Sequence, residues 1–329
     1  MNRPIPVTVL AVAIIVLAAG FGAAGDKEVV FDESFAVKAG GELTVTVGDM
    51  NVLLKTGKSD EAHVEVTVTG NLDKMRERFE KMNFTAKIEN GALVLDTDDH
   101  RSWSTNWWGS TGSGGIHLTV TLPEKFDLHV ETSDGDISAA GFEGDIDLKT
   151  SDGDVNAGRL EGPEIYIRTS DGDIEAGELT GGDVSLRSSD GDVVADRVEA
   201  EYVSLATSDG SVRATAVKAD KITAKSSDGD LDLEISGGEL QARTSDGDID
   251  VTLSGSMAVD LSTSDGDITI RAPKNISAKI DLKGEHVKLG GKVAIEGEVS
   301  DRRISGILGD GGPTVRARTS DGSIALRFI

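Results

Sequence analysis

The tripeptide Ser-Asp-Gly returns along this chain at Ser133, Ser151, Ser170, Ser189, Ser208, Ser227, Ser245, Ser264 and Ser320. Successive copies from Ser133 to Ser264 are 18 or 19 residues apart, and the last gap is 56. A period this short implies stacked units, because one unit cannot bury its own apolar face. The long gap is close to three periods, so two degenerate rungs are expected inside it, near Gly284 and Asp301.

Within a rung the apolar residues alternate, as strands require. After the turn at Ser170 come Ile174 and Ala176, then Leu179 at a bend, then Val184 and Leu186. The next rung repeats the scheme with Val193, Ala195, Val198, Val203 and Leu205, and the one after with Val212, Ala214, Val217, Ile222 and Ala224. These positions predict inward columns in an all-β, parallel β-solenoid of about 19 residues per rung. Asp-Gly is also a strong hairpin signal, so an antiparallel meander competes. Its size weighs against it, since some twenty strands would exceed the ~10 at which open twisted sheets curl or split.

Composition agrees with a narrow core of small aliphatic side chains: of 329 residues, 40 are Gly, 6 are Pro, and aromatics make up 4%. The absence of Cys rules out disulfides, thiolate metal sites and a Cys lipid anchor. A formal charge of -25 argues against nucleic acid as a partner and favours cations as counter-charges.

The N-terminus has a basic start, an apolar stretch from Val7 to Ala19, and small residues up to Gly25. That is the anatomy of a secretory signal over residues 1–25, with export to the periplasm, cell envelope or exterior. An uncleaved anchor is the alternative, and would be the chain's sole contact with a membrane.

Residues 26–130 read as an irregular β-rich cap and early rungs, ahead of the regular solenoid at 131–329. Val47-Gly48-Asp49-Met50-Asn51-Val52 looks like a worn copy of the turn and its following strand. Leu72, Met75, Phe79 and Met82 share one face of a short helix over 71–82, a capping or side-packed element. A hairpin is expected at Asn90-Gly91. The loop after it holds Trp103, Trp107 and Trp108, either a sugar or surface-contact platform or a lid over the first rungs.

Two acidic columns accompany the turns. Asp134, Asp152, Asp171, Asp190, Asp209, Asp228, Asp246, Asp265 and Asp321 form one. Asp136, Asp154, Asp173, Asp192, Asp230, Asp248 and Asp267 form the other, broken by Ser211 and Ser323. Like charges one strand apart repel by roughly 1 to 3 kcal/mol per pair. Calcium could offset this, with Asp152, Asp154, Asp171, Asp173, Asp190, Asp192, Asp228, Asp230, Asp246 and Asp248 as the candidate ligands. The β-roll nonapeptide, Gly-Gly-x-Gly-x-Asp, is absent. An architectural reading competes, in which each Asp before Gly caps its own turn and the Gly supplies a positive φ. A basic column at Lys149, Arg168, Arg187, Lys225, Arg243 and Arg318 is expected to neutralise the acidic ones without metal.

Catalysis by a polysaccharide-cleaving β-helix would require one carboxylate pair singled out by irregular loops. The turns here are short and uniform, and His63, His100, His117, His129 and His286 show no ligand or triad spacing. The column Thr132, Thr150, Thr169, Thr207, Thr244, Thr263 and Thr319 could suggest an ice-binding face, yet it has the parity of inward Leu148 and Ile167.

The segment Ile116-His117-Leu118-Thr119-Val120-Thr121-Leu122-Pro123, the run from Leu128 to Ile137, and the iterated Thr-Ser-Asp-Gly-Asp-Ile resemble the bacterial putative-adhesin family of β-strand-repeat proteins. The likeness spans about residues 30–329. It implies a right-handed β-helix-like solenoid in the cell envelope, with no catalytic residues to carry over. The expected function is a non-catalytic exported scaffold or adhesin contacting a protein, glycan or surface and needing no cofactor. A calcium-stabilised solenoid and a glycan-active enzyme are the alternatives.

Overall fold

A computed structural model describes residues 27–57, 60–98, 114–291 and 294–329. Among them the chain is strands joined into one open sheet network, with one helix, Leu72–Lys81. Equivalent strands pair in parallel. Ile174 lies beside Val193, Val193 beside Val212 and Val212 beside Leu231, and Val184, Val203 and Ile222 are likewise in register. This excludes the antiparallel meander, in which neighbours across each turn would pair.

The inward columns follow the alternation, and every apolar residue predicted to face inward in the three rungs above is buried. The column Val52, Ile137, Val155, Ile174, Val193, Val212, Leu231, Ile249, Ile268 and Ile324 runs almost the length of the stack. Burying each such side chain contributes about 1.5–3 kcal/mol, so the columns dominate cohesion in a chain without Cys.

Stack order departs from chain order at both ends. Strands Gly41–Thr46 and Met50–Gly57, which carry the worn turn, pair with the first Ser-Asp-Gly rung on one side: Val45 with Val130, Val52 with Ile137. On the other side they pair with Ala92–Asp96 and Ile116–Pro123, which come later in the chain. At the far end, Thr314–Arg318 lies between Ala258–Ser262 and Ala278–Lys283. Ser323–Phe328 lies between Ile268–Ala272 and His286–Leu289.

The two degenerate rungs expected inside the 56-residue gap are therefore replaced by a different arrangement. The Ser320 rung stacks directly on the Ser264 rung, and Ser320 N–H donates to Ser264 O at 3.0 Å. A single rung near Gly284 stacks beyond it. The region of Asp301 is the turn of a hairpin, Ile295–Val299 with Arg303–Leu308, laid antiparallel on Ala278–Lys283. Counting periods could not show this, since it assumes that each rung stacks on its predecessor.

Antiparallel strands close both ends. At the N-terminal end they are Thr85–Glu89 on Ala92–Asp96, and Lys27–Ala36 with Glu61–Thr69 on Ile116–Pro123. The hairpin falls at Asn90-Gly91, both with positive φ (53° and 96°), the conformation that two-residue turns favour. The helix starts at Asn71, whose Oδ1 accepts the Lys74 N–H at 3.1 Å. It packs beside the cap instead of across the end: Met75 is buried, Phe79 meets Phe84, Arg76 pairs with Glu28 at 2.5 Å, and Arg78 pairs with Asp49 of the worn turn.

Candidate functional site

The turns are built from the inside outwards. The residue before each Ser is Thr or Ser, and its side chain points into the core. Thr169 Oγ1 donates to the carbonyls of Gly153 (2.9 Å) and Ser151 (3.2 Å) in the rung before, and accepts the N–H of Gly172 at 3.2 Å in its own turn. Thr150, Ser188, Ser226, Thr263 and Thr319 repeat this pattern. A hydroxyl, and not the Asp, thus caps the turn.

The turn glycines also act differently from the expectation. Among the described residues those with positive φ do not include Gly153, Gly172, Gly191, Gly210, Gly229, Gly247 or Gly266. They are required by close approach, because a Cβ on Gly172 would collide with the carbonyl oxygen of Gly153, and the same holds at each rung. Stacked turns leave no room for any side chain there.

The calcium candidates divide into two kinds. In the second column each carboxylate accepts the backbone N–H of its counterpart one rung on: Asp154 Oδ1 from Asp173 at 2.8 Å, Asp173 Oδ1 from Asp192 at 2.7 Å, Asp230 Oδ1 from Asp248 at 2.8 Å. Asp192 and Asp248 do the same for Ser211 and Asp267. Asn51 heads the column, accepting from Asp136 at 3.1 Å, and Ser211 serves Asp230 with its hydroxyl at 3.3 Å. In the first column Asp152, Asp171, Asp190, Asp228 and Asp246 are exposed, and no hydrogen bond or ion pair engages their carboxylates among the described residues.

The basic column is in register from Lys149 through Arg168 and Arg187 to Lys225 and Arg243. Among the described residues its ion pairs run to acids on the strands, Lys149 to Asp147, Arg243 to Asp260 and Arg318 to Asp281. The expected neutralisation is thus replaced by backbone donors in the second column. Exposed strand pairs such as Lys218–Glu199 at 2.6 Å are screened by solvent and add little. The Lys218 hydrogen bond and charge hold the Glu199 carboxyl below its ordinary range.

A further feature lies on the outward side of the strands. Tyr166 and Tyr202, the two tyrosines of the chain, are exposed two rungs apart. Ser185, Ser204 and Thr223 continue the column of Tyr166 over the next three rungs, and with both tyrosines, Asp183 and Lys221 they line a depression of about 510 Å³. Partial desolvation, then the nearby acids Glu164, Asp183 and Asp147, push the Tyr166 phenol above its ordinary range. Tyr166 is therefore a neutral hydrogen-bond donor at physiological pH. Sequence reasoning missed this pair, although both tyrosines occupy outward strand positions and could have been found by parity. Trp103, Trp107, Trp108 and His100 lie outside the described residues, as does the expected signal segment. Among the described residues no helix is long and apolar enough to cross a membrane.

Stacked parallel rungs, turns laced by buried hydroxyls and a shallow ringed depression on a side face define a repeat scaffold. The chain belongs to the Toastrack DUF4097 family, which it matches over residues 41–279 and 163–327. It is similar to solved structures of a putative adhesin from Parabacteroides distasonis ATCC 8503 (12% identity, 92% of this chain and 97% of that one, TM-score 0.48) and one from Parabacteroides merdae ATCC 43184 (10%, 90% and 95%, 0.46). A putative lipid binding protein from Parabacteroides distasonis is similar at 13% identity over 92% of this chain and 97% of that one, with TM-score 0.45. No curated protein matches the chain significantly.

Proposed function

We propose that this protein is a non-catalytic, exported interaction scaffold of the periplasm, cell envelope or cell exterior, which engages a glycan through the face carrying Tyr166 and Tyr202. Its coil is a solenoid of about nineteen residues per rung and is right-handed, the hand that parallel strand crossovers overwhelmingly take. The observation that carries the reading is the pair of exposed rings lining one depression with the hydroxyls of Ser185, Ser204 and Thr223. Sugar rings present apolar faces that stack on aromatics and hydroxyls that bond to Ser, Thr, Asp and Lys. Rigid strands hold these groups at fixed spacing, which limits the ordering cost of binding.

The test is a glycan array with purified protein, repeated with Tyr166→Ala and Tyr202→Ala. Loss of glycan binding in both variants, with an unchanged melting temperature, supports the reading. Binding that survives both substitutions moves the contact elsewhere, and cleavage of any glycan overturns the non-catalytic assignment.

A further inference from the structure

At the N-terminal end, the antiparallel strands Lys27–Ala36 and Glu61–Thr69 bring together three groups that the sequence leaves far apart. Asp32 stands directly opposite Glu65 in the ladder. His63 lies two residues before Glu65 and so shares its face, while Val64 and Val66 between and beyond them are buried in the core. One ligand atom from each of Asp32, His63 and Glu65 lies within 4.8 Å of the others. His63 Nε2 is 3.6 Å from Asp32 Oδ1, and its Nδ1 is 3.5 Å from the Ser34 hydroxyl.

Two features point to a cation. Carboxylates directly opposed across a ladder destabilise it, and among the described residues no Lys or Arg forms an ion pair with Asp32 or Glu65. A ligating histidine is also commonly oriented by a hydrogen-bond acceptor at its other ring nitrogen, a role the Ser34 hydroxyl can fill from 3.5 Å. The other nitrogen, Nε2, lies 3.6 Å from the Asp32 carboxylate.

We propose that Asp32, His63 and Glu65 form a divalent transition-metal site, with Zn2+ as the fitting ion. One imidazole with two carboxylates suits zinc better than calcium, which takes oxygen ligands throughout. Ligand distances of about 2.0–2.2 Å require the three donor atoms to draw in to about 3.3 Å from one another. The side chains of Asp32 and His63 are 49% and 44% exposed, so rotation can supply that closure. The ion would tie the strand Lys27–Ala36 to the cap, and its fourth position would face solvent, open to water or to a ligand from a partner. The histidine spacing gave no hint of this, because Asp32 reaches the site through strand pairing.

The test is calorimetric titration of the chelator-stripped full chain with ZnCl2 at constant ionic strength, alongside thermal melts. Expected are one tight equivalent of zinc and a raised melting temperature. His63→Ala should weaken that equivalent by about tenfold or more, leaving weak binding at the acidic turns untouched. Glu65→Gln should melt no lower than wild type without metal, because it removes the opposed charge, yet lose the zinc response. The absence of a one-equivalent phase, or an unchanged phase in His63→Ala, would overturn the site.

Discussion

The Asp173 carboxylate accepts the backbone N–H of Asp192, its counterpart one rung further on, at 2.7 Å. The second acidic column is thus a chain of side-chain acceptors on backbone donors, where charge is incidental to the bond. Asn51 and Ser211 fill the same role without charge. Asp173→Asn should therefore keep the bond, relieve repulsion from Asp154 and Asp192, and leave stability equal or raised by about 0.2–1 kcal/mol. Asp173→Ala should cost about 1 kcal/mol, because the Asp192 N–H loses its acceptor. Urea denaturation distinguishes the two. For the same reason calcium and magnesium at equal ionic strength should shift the melting temperature equally, and a calcium-specific rise would count against this account.

Glycine in the turn answers to stacking. Gly172→Ala would force a methyl group onto the Gly153 carbonyl, where backbone on both sides resists movement. It should cost about 2–3 kcal/mol. Gly237→Ala, where an added Cβ meets nothing within 4 Å, should stay within about 1 kcal/mol of wild type. Equal losses at the two positions would refute the close-approach argument.

The inward columns were legible because alternation and a short period report burial directly, as in Ile174, Ala176 and Leu179. The parity of Thr169 was legible too, but its task was not, since nothing in one rung reveals that the Gly153 carbonyl lies 2.9 Å below it. A signal existed: where Thr gives way, at Ser188 and Ser226, the hydroxyl stays. The acidic columns were found, but their offset was assigned to Arg and Lys that turn instead to strand acids. Stack order at the ends left no periodic trace, because Ser320 follows Ser264 in space with 56 residues of chain looped out between them.

His117 gives the N-terminal cap a pH dependence. Burial, then the positive charge of Lys27, hold its imidazole below the ordinary range, partly opposed by Asp136. The folded state thus binds its proton less readily than the unfolded chain. Stability from this group is complete above the unfolded value of about 6.5 and is lost as pH falls towards the lowered folded value. Melting temperatures at pH 7.5, 6.0 and 5.0 should fall less in His117→Gln than in wild type. An identical decline would show that this imidazole does not contribute.

Asp281 joins the out-of-order rungs at the other end. Its carboxylate, 23% exposed, lies 3.3 Å from Arg303 of the hairpin and 3.3 and 3.6 Å from Arg318 and Arg316 of the inserted strand Thr314–Arg318. Each pair alone would be weak, but three guanidinium groups share one acceptor, and without it they repel one another. Asp281→Ala should cost about 1–2 kcal/mol. Stability in a stack is carried between neighbouring rungs, so the effect should stay local. Amide exchange should quicken in Ala278–Lys283, Arg303–Leu308 and Thr314–Arg318 while Ile174–Lys225 keeps its protection. Uniform acceleration along the whole stack would mean that the ends and the middle unfold as one unit, and that the inserted strand locks more than its own neighbours.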